Sequence, residues 1–358
     1  MFVRDFVHLH VHTEYSLLDG AIRIKDLIEK AKEYGMESIA ITDHGVMYGV
    51  IDFYKEALKN GIKPILGCEV YTARRSRFDK EANVDSDQGH LVLLAENNTG
   101  YKNLMKIVSI GFIEGYYYRP RIDTEVLEKY SEGIIALSAC LSGDIQRMML
   151  MEDYEKAKSL ALQYNNIFGK DSFFLELQSN SIPDQNLVNQ NMIKLSKETG
   201  IPLIATNDVH YLRREDAKAH DILLCIQTGK RVNDEDRMRF NTDEVYLKTV
   251  DEMLESFKDI PEALENTVKV SRRCNVEIQF NKLCLPEYKV PGNQEHFTFL
   301  KKLCDEGLKS RYGGEINREI IERLDYELLI INQMGYVDYF LIVWDFIRYA
   351  RENKIMVG

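Results

Sequence analysis

No run of apolar residues approaches the length of a membrane span; the richest, 339–347, is broken by Asp345. No two cysteines have the Cys-x-x-Cys spacing. The six thiols, at 68, 140, 225, 274, 284 and 304, are scattered, which argues against a disulfide scaffold or a zinc finger and for a reducing cytoplasm. No signal peptide is evident, because Arg4 and Asp5 come before any apolar stretch. Basic charge is in deficit: 46 Lys and Arg against 57 Asp and Glu leave −11 with His neutral. A domain that coats duplex DNA through a basic face is therefore excluded. Repeats, low-complexity tracts and a strand followed by a Gly-rich dinucleotide loop are also missing. What remains, at 358 residues, 45% hydrophobic and 29% charged, is a globular protein of one large or two ordinary domains.

Short apolar runs rich in β-branched residues recur over the first 210 residues, at 6–12, 38–43, 64–72, 90–95, 133–140, 173–178 and 202–209. Helical patterns lie between them. Ile24, Leu27, Ile28 and Ala31 share one face of the first; Leu104, Ile107 and Val108, and then Leu187, Met192 and Leu195, mark two more. Such alternation predicts an α/β fold with a parallel sheet, and seven strands suit a closed or nearly closed barrel. Beyond about residue 215 the strands thin out. Stretches 217–228, 262–273, 297–311, 317–333 and 337–353 read as helices, and a turn-rich break at 286–291 places a boundary near 280–295. The apolar ending 354–358, with no polar tail, reads as a cut inside a domain.

The chemistry concentrates in 6–20. In a strand, His8, His10 and His12 would share one face and Val7, Leu9 and Val11 the other. Imidazole is the commonest protein ligand for zinc, and two His at this spacing converge on one ion. The bland reading is a polar edge strand; His8 alone fits a packed or supporting role. Further polar residues fall at strand ends: Asp43 and His44, Glu69, Cys140, and Asp208 with His210. In α/β barrels the C-terminal strand ends meet at the active site. Singly, Asp43 could cap a helix, Asp19 could belong to a turn and Cys140 to the core; these four strand ends together with the His-bearing first strand, five in all, are hard to explain by packing. His90 is awkward, since it begins its strand and so falls at the wrong end of a parallel barrel.

His10, His12, Asp19, His44, Glu69, His90, Cys140, Asp208 and His210 make nine candidate ligands. One zinc takes about four, so nine predict two or three divalent ions, with Glu69 the natural bridge. Zinc suits the donor mixture best, with manganese or magnesium as alternatives. Clustered divalent ions suit phosphoester hydrolysis: one lowers the pKa of a bound water towards ~7 and the others clamp phosphoryl oxygens.

These residues resemble the polymerase and histidinol phosphatase (PHP) superfamily, whose fold is a distorted (β/α)7 TIM-like barrel. The long form of 6–20 is similar to the amino-terminal domain of bacterial DNA polymerase III α subunits, and 335–346 to their entry into the palm. The resemblance implies a PHP barrel over 1–285 and a linker with the start of a mainly helical palm over 286–358. It supplies a His at position 90. It also implies a metal site with Asp19, Glu69 and Asp208 as catalytic carboxylates, acting as a 3′→5′ proofreading exonuclease on a single-stranded or frayed DNA end. The remaining polymerase domains and replisome subunits would be partners, with no membrane and a cytoplasmic location. The palm's catalytic aspartates lie beyond residue 358, so this stretch alone is not expected to polymerise DNA.

Arg74, Arg119 and Arg121 are candidate DNA contacts, the latter two beside Tyr116, Tyr117 and Tyr118, which could stack bases. The alternative is a solvated loop or a contact to another polymerase domain. His220 and His296 read as surface or capping residues, and the thiols other than Cys140 as packing. Competing functions are a metal-stabilised brace without nuclease activity, a small-molecule phosphatase of the histidinol-phosphate type and, more weakly, a hydrolase with Cys140 as nucleophile.

Overall fold

The computed structural model describes residues 5–280, 282, 286–314 and 316–358. Cys284 lies outside the described residues. The chain divides into two compact units, Met1–Glu277 and Ile278–Gly358.

Among the described residues the first unit carries eight strands: β1 (Ser38–Ile41), β2 (Lys63–Ala73), β3 (Gln88–Ala95), β4 (Tyr116–Tyr117), β5 (Arg119–Ile122), β6 (Ile134–Leu137), β7 (Phe173–Gln178) and β8 (Leu203–Thr206). β1 runs parallel to β2, and β6, β7 and β8 are mutually parallel in that order. The sheet is nevertheless mixed, because β3 is antiparallel to both of its neighbours, β2 and β6. The all-parallel expectation is corrected here, and the reason is local. No helix lies in the connection 74–87, and a parallel return needs a crossover of a dozen or more residues, usually helical. A connection without one folds β3 back along β2.

The expected strand at 6–12 is an extended segment without a continuous ladder. A parallel bridge joins Val11 to Val209. His12 N–H donates to the Val209 carbonyl at 2.8 Å and Val209 N–H to that of His10 at 3.1 Å. On its other side, Ala40 N–H reaches the His8 carbonyl at 2.9 Å and Thr42 N–H that of Val11 at 2.8 Å. The segment thus stitches the β1 edge to the residues that follow β8, completing a distorted TIM-like barrel in an α/β fold.

Both faces of the sheet are apolar, which is why its strands read as unbroken hydrophobic runs. Leu91, Leu93, Ile134 and Ala136 pack outward with helix residues such as Leu104, Ile107, Ala157 and Val188. Val92, Leu94, Ile135, Leu137 and Phe174 form a second, interior cluster. The helix Pro183–Thr199 buries Val188, Met192 and Leu195, while Leu187, expected on that face, is half exposed. The strands β4 and β5, absent from the sequence reading, form a small antiparallel ribbon whose second arm pairs with the end of β2.

The second unit is helical, with His296–Tyr312, Arg318–Gln333 and Val337–Glu352 gathered around Val290, Phe299, Leu300, Leu328 and Leu341. Among the described residues, no helix is long and apolar enough to cross a membrane.

Candidate metal centre

Two strand ends and one turn bend sharply beside donor residues. Ala139 before Cys140, Asp208 itself and Leu18 before Asp19 have φ of 65°, 48° and 62°. Non-glycine residues rarely adopt this left-handed region, and such strain persists where the surroundings over-determine it. Here it swings side chains over one end of the barrel. The direction of β3 completes the set: because it runs against β2, its start lies beside the end of β2, with His90 opposite Tyr71. The placement that looked wrong for His90 follows from that reversal.

Glu69, buried on β2, is the hub. Its carboxylate lies 2.6 Å from His44 Nδ1, 3.0 Å from His90 Nδ1, 3.4 Å from His10 Nε2, 3.5 Å from His12 Nε2 and 3.9 Å from Cys140 Sγ. Asp208 Oδ1 stands 3.2 Å from both His10 Nε2 and His12 Nε2. Asp19 faces His44 Nε2 at 3.3 Å and His210 Nε2 at 3.8 Å. All nine expected positions therefore converge. His8 does not join them, because its Nε2–H donates to the Lys248 carbonyl at 2.8 Å, and burial brings its pKa down to about 4.

The imidazoles are held in one orientation by groups behind them. His10 Nδ1–H donates to Glu176 Oε1 at 2.7 Å. His210 Nδ1–H donates to the Asp208 carbonyl at 2.8 Å. Ser16 gives its hydroxyl proton to Asp43 Oδ1 at 2.7 Å, so its oxygen accepts from His12 Nδ1–H at 3.0 Å. These assignments leave the Nε2 lone pairs of His10, His12 and His210 facing the pocket, the tautomer a metal ligand needs.

Charges pair across the pocket: burial would lower the pKa values of His10 and His44, but Asp208 and Glu176 beside the first and Glu69 beside the second hold them well above the usual value. Burial alone would raise the Glu69 pKa, but His90, His44 and His10 outweigh it and hold the carboxyl well below its usual range. Burial likewise opposes ionisation of Asp208, and His10 and His210 overcome it. Burial would raise the Asp19 pKa, but the nearby rings of His220 and His44 outweigh it and hold the carboxyl well below its usual range. Burial and then the neighbouring rings of His44 and His210 keep His12 neutral. Burial pushes the Cys140 thiol well up, with Glu69 and Asp208 adding to it.

A test of whether the pocket fits cations comes from its orphaned polar atoms. His10 Nε2, His12 Nε2, Asp19 Oδ1, His44 Nδ1, Glu69 Oε2, Asp208 Oδ1 and His210 Nε2 are buried and face one another at 2.6–3.8 Å, yet none makes an aligned hydrogen bond. Leaving even one such atom unpaired costs about 1–3 kcal/mol. Three groupings have donor atoms within 4.8 Å of one another: His10, His12 and Asp208; His44, Glu69 and His90; and His12, His44 and His210. Shared members make them one cluster, and this donor set fits divalent cations.

Two residues were missed or misread in the sequence. Glu176, fully buried on β7, accepts from His10, from the Ala139 N–H at 3.0 Å and from Gln178. A lone carboxylate inside the apolar run 173–178 was its signal. His220, read as surface, is buried instead: its helix, Ala217–Thr228, lays the ring against Phe240 and Tyr211, with Nε2 3.4 Å from Asp19 Oδ1.

The three arginines separate. Arg119 is exposed at the mouth of a cleft whose floor includes Asp19 and His44. Arg74 is engaged by Asp144 at 3.2 Å and Asp87 at 3.0 Å. For Arg121 the expectation of a DNA contact is corrected: the side chain is fully buried and donates to the carbonyls of Gly115, Asp85, Arg77 and Asp79 at 2.7–3.3 Å.

Comparison with known proteins gives two family matches, a PHP domain over residues 8–180 and a bacterial DNA polymerase III alpha NTPase domain over 298–358. DNA polymerase III subunit alpha of Borreliella burgdorferi is 51% identical over 356 residues, and that of Treponema pallidum 45% over 358, each across 99% of this chain. That of Aquifex aeolicus is 41% identical over 373 residues. This chain covers 31%, 30% and 32% of these relatives respectively, about a third of their length. Among solved structures, a Bacteroides vulgatus two-domain protein described as containing a PHP-like metal-dependent phosphoesterase aligns with a TM-score of 0.38 at 13% identity, over 78% of this chain and 72% of its own.

Proposed function

Because this chain belongs to the bacterial DNA polymerase III α-subunit family and carries its PHP domain, we propose that its barrel is a metal-dependent phosphodiesterase trimming DNA 3′ ends, a 3′→5′ proofreading exonuclease. The observation that carries the reading is the convergence of buried donors, none of them in an aligned hydrogen bond on its pocket side, beneath a cleft open to solvent. Residues 1–285 would form the phosphoesterase barrel and 286–358 the linker and start of the palm. The whole protein would be a cytoplasmic DNA-directed DNA polymerase working with other replisome subunits, and this chain would not polymerise by itself.

Two or three divalent ions, zinc foremost with manganese or magnesium as alternatives, would be held by His10, His12, Asp19, His44, Glu69, His90, Cys140, Asp208 and His210. When bound, such ions make a water acidic near neutral pH and stabilise charge on phosphoryl oxygens. The chain's own contribution is preorganisation. Glu69 reaches toward both halves of the donor set, Asp208 and Asp19 supply negative charge on either side, and Glu176, Ser16 and the Asp208 carbonyl fix the rings. Arg119 at the cleft mouth would meet phosphate.

The test is digestion of a 3′-mismatched primer with magnesium, manganese or zinc added. Cleavage should be lost in Asp208→Asn, and equal activity in that variant would show that another site is responsible. The donors come from 6–12 and the turn after it, β2, β3 and the segments after β1, β6 and β8, so an ion there would also cross-link the barrel. A large chelator-induced drop in melting temperature without any nuclease activity would make the domain a brace.

A further inference from the structure

The cleft above the donor cluster has walls that metal binding does not require. Over the floor of Asp19 and His44 stand Tyr48, Tyr71, Phe112, Tyr116 and Tyr118, with Arg119 at the rim. Tyr48, Tyr116 and Tyr118 are 58%, 52% and 66% exposed, a concentration of open rings at one mouth. Its volume is about 220 Å³, below the roughly 300–1,000 Å³ of a drug-sized pocket, which suits a single ring-bearing unit and not the end of a duplex.

The backbone is arranged to put these rings there. β4 and β5 pair Tyr116 with Pro120 and Tyr117 with Arg119, which forces Tyr118 through the turn at φ 60°. That conformation is costly for a tyrosine and marks a position held for a purpose other than local comfort. The rings of Phe112 and Tyr116 stack at 6.2 Å and 25°. Gly45 allows the ribbon to close in: a Cβ there would lie 2.9 Å from the Tyr71 ring and 3.0 Å from Pro120. Tyr71 consequently stacks on His44 at 6.1 Å and 18°. Arg119 lies over Tyr71, 5.6 Å from the ring centroid, and among the described residues no carboxylate pairs with it. Arg74, Arg75 and Arg77 nearby are all neutralised by acids.

We infer that this cleft is a base-stacking subsite for the unpaired terminal nucleotide of a DNA strand. The last base lies against Tyr116 and Tyr118, Arg119 meets a phosphate, and the terminal phosphodiester comes down over Asp19 and His44. Aromatic stacking accepts any base, so the site reads the absence of pairing and not sequence. The inference rests on the phosphodiesterase reading and adds to it what selects the strand end.

Anisotropy of a 5′-labelled single-stranded decamer, ending 3′ in either a normal or an abasic nucleotide, tests it in EDTA and again with manganese. The normal end should bind about 5- to 150-fold tighter, the equivalent of about 1–3 kcal/mol of stacking. Tyr116→Ala/Tyr118→Ala should bring that ratio to about one, and Tyr116→Phe/Tyr118→Phe should restore it, which separates stacking from damage to the ribbon. Equal binding of the two ends by the unaltered chain, or a ratio that survives the double alanine variant, overturns the subsite and leaves the rings as a protein contact. A ratio without cleavage under any metal keeps the subsite and removes the phosphodiesterase reading; cleavage without a ratio does the reverse.

Discussion

His10 Nδ1 and Glu176 Oε1 lie 2.7 Å apart, both fully buried, with the opposite ring nitrogen of His10 turned to Asp208 and Glu69. A carboxylate behind a ligating imidazole fixes its tautomer and raises its basicity, and its loss typically costs 10–100-fold in metal affinity. Glu176→Gln should therefore weaken metal binding by about 10–100-fold without removing a donor. Chelator competition reads this directly, and unchanged affinity would mean that His10 is not a ligand.

Metal should also stabilise the barrel. A ligand that binds only the folded state at 100 times its dissociation constant adds about 2.7 kcal/mol. Thermal melts should shift upward as zinc or manganese is titrated, and Glu69→Gln, which removes the hub, should abolish the shift.

His220 stands beside Asp19 on the helix Ala217–Thr228, outside the strands of the barrel. His220→Ala should leave the fold intact and lower the bound metal stoichiometry or affinity, by about 10-fold on the scale of such supporting contacts. His296→Ala, in the helical unit, serves as the control. Equal metal content in both variants would assign His220 to packing alone.

Arg121 satisfies four buried carbonyls with one guanidinium. Arg121→Met should cost at least about 3 kcal/mol, because charged hydrogen bonds are lost and carbonyls are stranded. Denaturant midpoints measure this. DNA affinity in salt titrations should follow Arg119→Ala instead.

Burial pushes the Cys274 thiol up to about 12, from 9.0 for the free group. The unfolded chain therefore gives up this proton first. Stability from the group is complete below about pH 9 and declines as pH rises towards 12. Urea midpoints at pH 8 and pH 10 should show the decline, and Cys274→Ala should lessen it, the rest coming from the buried Cys68 and Cys140 thiols. Alkylation of the native chain at pH 8 should spare Cys274.

The barrel was largely legible because apolar runs and helical patterns alternate, and the pocket because His10 and His12 are two apart. The direction of β3 was not, since a strand buried on both faces reads alike in either sense; the clue was the non-helical 74–87. Strands as short as Tyr116–Tyr117 show no period to detect. His220 looked superficial because a single polar residue on a helix gives no sign of which neighbour will cover it, and Arg121 because buried carbonyls leave no trace in composition.

The segment 6–12 lies against β1 on one side and Val209 on the other. Its partners on the second side emerge from the ribosome roughly two hundred residues after it does. On the proposed reading, His10 and His12 would gain Asp208 as a fellow ligand only once the last strand of the barrel has been made, whereas His44, Glu69 and His90 are all made by residue 90. Long-range closures of this kind are slow to form. Metal acquired too early would meet only loose histidines, so on that reading timing as well as geometry would decide what His10 and His12 hold.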